Sequence, residues 1–164
     1  RPDIGVVDYG FDVSATAPTL PTNYTQYRRI WSIIRESGAI RGYKQDGDTC
    51  SWTTVAVDRA STAAFASALL TMTIPGGIVT APLTYSGVSI AAASTCRVSF
   101  GSASVGSALA DVLSCPASSN VTSQTSPNFW SNTSSQIYYA AAVTGTVNAN
   151  NLVTYGYVDT RGNQ

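Results

Sequence analysis

The sequence contains no histidine. This removes the side chain that most often acts as general base near neutral pH. With it go the Ser-His-Asp triad, the Cys-His pair and every metal site that needs imidazole. Charge is scarce as well. Nine Lys and Arg balance nine Asp and Glu, so charged residues make up 11% of the chain, against about 25% in ordinary soluble proteins. The formal net charge is zero. No basic field gathers a polyanion, which argues against nucleic acid as a partner. Long apolar runs are missing too. Ala60–Leu70 falls short of the roughly 18 residues that a bilayer demands, and Ser61, Thr62 and Ser67 interrupt it. Membrane insertion is therefore not expected. Glycine-rich phosphate loops are absent: Gly76-Gly77 follows Pro75 and reads as a turn. No cofactor and no metal are expected.

Cysteine is limited to Cys50, Cys96 and Cys115. The primary reading is three reduced, buried thiols that act as small hydrophobes. A Cys96–Cys115 bridge is the alternative.

What fills the chain instead is small and neutral. There are 21 serines and 20 threonines among 164 residues, and 44% of the residues are hydrophobic. Threonine favours strands and serine favours turns and edges. A chain of this length can bury about 70% of the surface it exposes when unfolded, enough for a real core. Residues 1–164 are expected to form a single β-sandwich module.

Alternation at period two marks strands along most of the chain. Strands are expected at Ile4–Val13, Tyr24–Arg35, Ala39–Gln45 and Thr49–Asp58. Tyr24–Arg35 is the strongest, with apolar residues on both faces. Compact turns fall at Glu36-Ser37-Gly38 and Asp46-Gly47-Asp48, and a proline-bearing loop at Ser14–Asn23. The stretch 60–68 reads as a short helix or an extended linker. Further strands are expected at Leu69–Ile74, Ile78–Ile90, Thr95–Ser104 and Ala108–Ser114. Pro116–Ser135 reads as a polar loop. Gln136–Val147 and Leu152–Asp159 are expected to close the chain as a hairpin around Asn148-Ala149-Asn150-Asn151. The fold class is all-β: an antiparallel sandwich of about eight or nine short strands.

Candidates for chemistry are few. Asp46 with Asp48, and Asp8 with Asp12, are the carboxylate pairs that glycoside hydrolysis would need. The first pair is better explained as turn formers, and the second lies on one face of a strand. Asp46-Gly47-Asp48 has too few ligands for a calcium loop. No catalytic residue is assigned. The basic residues Arg28, Arg29, Arg35, Arg41 and Lys44 read as solvated faces paired with Glu36, Asp46 and Asp48. Candidate ligand-binding residues are Asn128, Phe129, Trp130 and Tyr138. Two large rings in a polar loop fold onto the core, meet another subunit or form a platform for a sugar face.

The run from Asp12 to Asp48 resembles modules of bacteriophage and prophage tailspike and tail-fibre proteins. It carries Ser14-Ala15-Thr16-Ala17-Pro18-Thr19-Leu20-Pro21, Tyr24, Tyr27-Arg28-Arg29-Ile30, Ser32-Ile33-Ile34, Ser37-Gly38, Ile40 and Gln45-Asp46-Gly47-Asp48. The end, Tyr155-Gly156-Tyr157-Val158-Asp159-Thr160-Arg161-Gly162, also looks like the close of such modules. Trp31 stands where these modules commonly have glycine, so its ring must be buried. The resemblance implies a fragment of a longer fibre or spike on the virion, outside the cell. It implies a non-enzymatic C-terminal module, a homotrimer, with bacterial surface polysaccharide as ligand. Trp31, Tyr27 and Arg29 are the candidate interface residues. The rival readings are a glycan hydrolase acting through the turn aspartates and a purely structural trimerisation cap.

Overall fold

The computed structural model describes residues 10–14, 17–103, 110–115, 120–124 and 129–160, and at 110–113, 115 and 120–124 the backbone alone. Eleven strands and no α-helix occur among them. They are β1 (Arg35–Glu36), β2 (Ala39–Ile40), β3 (Tyr43–Asp46), β4 (Thr49–Ser61), β5 (Phe65–Thr71), β6 (Ala81–Ile90), β7 (Thr95–Gly101), β8 (Ala110–Cys115), β9 (Asn120–Gln124), β10 (Gln136–Thr144) and β11 (Val147–Val158). All pairings are antiparallel. A five-stranded sheet has the order β3-β4-β11-β6-β9 and a four-stranded sheet the order β5-β10-β7-β8, with β1-β2 a small ribbon beside them. The expected all-β, sandwich-like class is what the chain adopts.

Alternation builds the core. On β10, Ile137, Tyr139 and Ala141 point inward; on β7, Val98 and Phe100; on β6, Val88 and Ile90; on β11, Leu152. The register sets Tyr139 against Phe100 and Ala141 against Val98. The Phe100 and Tyr139 rings lie 5.3 Å apart and tilted by 58°, a favourable aromatic geometry. Buried polar groups lock the two layers in register. The Tyr139 hydroxyl donates to Asn150 Oδ1 at 2.6 Å, and Asn150 Nδ2 donates to the Ala63 carbonyl at 3.1 Å. Burial pushes the Tyr139 phenol above its ordinary pKa. Asp58 on β4 ties the connection after β5 to the neighbouring strand β11. Its Oδ1 accepts from the Thr73 amide at 2.9 Å and the Thr73 hydroxyl at 2.6 Å, and its Oδ2 accepts from Thr154.

Several expectations are corrected. Residues 60–68 hold no helix: β4 runs on to Ser61, and β5 begins at Phe65. Alanine on its own favours helix, and sheet pairing to β11 and β10 overrides that preference. Tyr24–Arg35 is not a ladder strand; β1 takes only its last residue, and the rest lies along the sandwich without a partner strand. Residues 10–13 are not in a strand, and the remainder of the expected Ile4–Val13 strand lies outside the described residues. Pro116–Ser135 is not wholly loop, since β9 pairs with β6 within it. The closing hairpin does not exist. β10 and β11 belong to opposite sheets, and the chain crosses at Gly145, whose φ is +104°. Asn150 lies buried inside β11 rather than in a turn.

Cys50 is a free, buried thiol, as expected, whereas Cys96 is disulfide-bonded. The ladder sets Cys115 opposite Cys96, and it is the one cysteine left to be the partner.

Candidate functional site

Two places gather the residues singled out from the sequence. The first is the loop 129–135. Phe129 turns inward and stacks on Phe100, with centroids 5.9 Å apart and planes at 26°. Its ring belongs to the core, so it does not form the outer platform that the sequence allowed. Trp130 is half-buried and its backbone is fixed on both sides. Its amide donates to Ser102 Oγ at 2.8 Å, and its carbonyl accepts from the Ala103 amide at 3.0 Å. The next residue, Ser131, is fully buried and exchanges two bonds with Thr80: Ser131 N to Thr80 O at 2.8 Å, and Thr80 N to Ser131 Oγ at 3.1 Å. Asn132 Oδ1 accepts from the amides of Ser134 and Gln136 at 2.9 and 3.0 Å. Ser135 Oγ donates to the Ile74 carbonyl at 3.1 Å. The loop is thus pinned to both layers.

Tyr138 follows on β10, half-buried on the outer face, opposite Gly101 on one side and Leu69 on the other. The register brings Tyr138 and the Trp130–Ser102 contact to the same end of the four-stranded sheet. A fixed loop with a tryptophan beside an outward tyrosine can offer flat apolar surface and hydroxyls to a ligand. Asn128 lies outside the described residues.

The second place is where residues 24–34 cross the end of β11. The Arg29 guanidinium grips Asp159 with both nitrogens, NH1 to Oδ2 at 2.5 Å and NH2 to Oδ1 at 2.9 Å. It also donates to Ser32 Oγ at 2.8 Å. Asp159 is fully buried, and its amide donates to the Asp48 carbonyl at 2.8 Å. The Tyr157 hydroxyl donates to the Ser32 carbonyl. Trp31 stacks on Tyr157, centroids 5.9 Å apart and planes at 28°. Burial pushes both the Tyr157 phenol and the Cys50 thiol beneath it up in pKa.

No family model, no curated protein and no solved structure matches this chain.

Of the three residues assigned to an interface, Arg29 and Trp31 are engaged within their own chain, and Tyr27 stays 51% exposed. The basic cluster is only partly as expected. Arg41 pairs with Glu36 at 2.6 Å, while Arg29 takes Asp159 rather than Asp46 or Asp48. The Arg41 guanidinium also donates to the Thr54 carbonyl at 2.7 Å and lies 5.4 Å from the Trp52 ring centre.

The turn aspartates are spread on the surface. Asp46 and Asp48 are exposed and flank Gly47, whose φ is +56°. Asp12 braces its own loop by accepting from the amides of Ser14 at 2.7 Å and Thr19 at 2.9 Å, which holds its carboxyl below the usual range. Asp8 lies outside the described residues. No group of three or more Cys, Asp or Glu positioned for a metal occurs among the described residues.

Sequence reasoning missed Asp58, Asn150 and Asp159. Each is a polar residue inside a strand or at its end and is bonded; Asn150 and Asp159 are fully buried and Asp58 half-buried. A polar residue interrupting an apolar face was the available signal, because such a group is buried only with a partner.

Proposed function

We propose that this chain is a non-catalytic distal module of a phage tailspike or tail fibre. It contributes to attachment to bacterial surface polysaccharide and to the stability of a homotrimer. One observation carries this reading. Parts of the two runs that carry the resemblance, residues 29–48 and 157–159, are more than a hundred residues apart in sequence yet meet in the fold. Arg29 meets Asp159, Ser32 meets Tyr157, and Asp48 meets Asp159. Contact between the two runs supports reading them as parts of one module.

The remaining features fit attachment better than catalysis. The outer surface is poor in charge and rich in hydroxyls, and the Trp130 loop is held rigid by bonds to both layers. Rigid aromatic surface binds with little loss of side-chain entropy. The exposed apolar groups Tyr27, Ile30 and Ile40 give a second copy something to cover.

Light scattering and a glycan array test this together. The expected result is a trimer mass, retention of host polysaccharide and loss of retention in Trp130→Ala at unchanged melting temperature. A monomer that binds no glycan would refute the reading. A trimer that binds none would reduce it to a structural cap.

A further inference from the structure

The register of the five-stranded sheet brings three apolar side chains into one row on its outer face. Val57 on β4 lies opposite Val153 on β11, and Val153 lies opposite Tyr85 on β6. Their chain neighbours Ala56, Leu152, Thr154, Thr84 and Ser86 are buried, so alternation turns the row outward. Val57 is 62% exposed and Tyr85 41%, with Val153 half-buried between them. Cross-strand neighbours sit about 5 Å apart, so the row is a continuous apolar strip. Asn151, Gly87 and Ser89 extend the face without adding charge. Valine offers no donor or acceptor to a sugar hydroxyl, so the strip suits apolar protein surface better than polysaccharide.

The same chain carries a matching projection. Phe11 is 91% exposed, and Val13 is fully exposed. Asp12 between them is turned into its own loop, where its carboxylate accepts from the Ser14 and Thr19 amides. Ser14 Oγ accepts from the Ala17 amide at 2.9 Å and tightens that loop. Hydrogen bonds thus shape the loop while its two apolar side chains point to water. One exposed apolar residue is ordinary, but a pair held out on either side of a bonded aspartate presents an anchor.

We propose that Phe11 and Val13 of one copy seat on the Val57–Val153–Tyr85 row of the next copy. Within one copy the two surfaces do not meet, since Phe11, Val13, Val57 and Tyr85 all stay exposed. A three-fold ring requires a heterologous contact, in which one patch meets a different patch. This chain supplies two different patches, and covering the row buries no ion. The zero net charge sets no long-range repulsion between copies. The inference rests on the homotrimer reading and assigns its contact.

Two variants of the full chain test it. Phe11→Ser with Val13→Ser removes the projection, and Val57→Lys puts a charge in the row. All three positions are exposed, so circular dichroism should match the parent chain. Tyr85→Ser serves as the row variant if lysine disturbs the sheet. Light scattering then gives the mass of each variant alone and of an equal mixture, at concentrations well above those at which the parent assembles. The parent is expected to be a trimer and each variant alone a monomer, its dissociation constant raised by about 30-fold or more, as for loss of an interface anchor. The mixture is expected to form one-to-one dimers. The intact projection of the row variant meets the intact row of the other chain, and no further contact can close a ring. Trimers that survive in either variant would overturn the inference and leave the homotrimer reading standing. Monomeric variants whose mixture also stays monomeric would overturn it too, because the two patches would then not be each other's partners. A monomeric parent would overturn both readings.

Discussion

Removing one oxygen atom in Tyr139→Phe is expected to cost about 1–3 kcal/mol, the penalty for a buried acceptor left without a donor. The ring stays, so packing against Phe100 and Phe65 is kept. What is lost is the 2.6 Å bond to Asn150 Oδ1, in a site where both residues are fully buried and water has no access. The contact between the Ser86 hydroxyl and the Tyr139 oxygen, at 3.5 Å, is long and its loss adds little. Urea denaturation measures the loss. For a chain of this size the melting temperature should fall by about 2–4 °C per kcal/mol. Asn150→Leu in the same background should recover much of the loss, because an apolar pair of similar shape leaves nothing unsatisfied. The Ala63 carbonyl that Asn150 also serves is exposed and can turn to water. Tyr138→Phe is the control: it is half-buried on the outer face and should change stability by less than about 0.5 kcal/mol. If Tyr139→Phe and Tyr138→Phe were equally mild, the Tyr139–Asn150 bond would not be what holds the layers in register.

Other outcomes follow from the same structure. Burial raises the Asp58 pKa against its hydrogen bonds to Thr154 and Thr73, so the folded chain holds that proton more tightly than the unfolded chain. The associated stability is fully present below the unfolded value of about 3.9 and is lost as pH rises through the folded one. Asp58→Asn should therefore flatten the fall in denaturation midpoint over that window; an unchanged slope would refute it. Trp31→Ala should cost about 1.5–3 kcal/mol, below the range for a full core aromatic, because the ring is half-buried. Calorimetry checks this, and no change would contradict the stack on Tyr157. Reducing the disulfide at Cys96 should cost about 3 kcal/mol, as expected for a loop of roughly 20 residues. Melting with and without reductant reads it directly. Gly156→Ala should prevent stable pairing of β4 with β11, because its new Cβ would lie 2.0 Å from the Cys50 carbonyl oxygen, and backbone cannot swing aside. A chain carrying it that melts normally would show that the bulge there is plastic.

The strands were legible because their pattern is local. β4, β6, β7 and β10 follow from alternation, and the turns at Ser37-Gly38 and Gly47 from residues that accept positive φ. Which sheet a strand joins was not legible. Alternation in 136–144 and 147–158 is what a hairpin would show, yet the two strands sit in opposite layers. Nothing within either run encodes the partner; β7 and β6 do so through packing. Apolar residues on both faces of 24–34 indicated a strand, but the inward row is spent on gripping β11 through side chains. The Arg29–Asp159 pair spans 130 positions, and composition gives no hint of it. At the site, Phe129 was placed correctly among its alternatives only by geometry: Phe100 offers it a stacking face that no sequence window contains.

From β4 to β11 the chain changes sheet at every connection except the one between β7 and β8. Neither layer can therefore be assembled, or lost, ahead of the other. A polypeptide threaded back and forth in this way has few short-range rewards early in folding, so it should fold on the millisecond-to-second scale expected of non-local β topologies. The same threading works in reverse. Pulling on any one strand tugs at both walls at once, which resists fraying and makes failure abrupt rather than gradual.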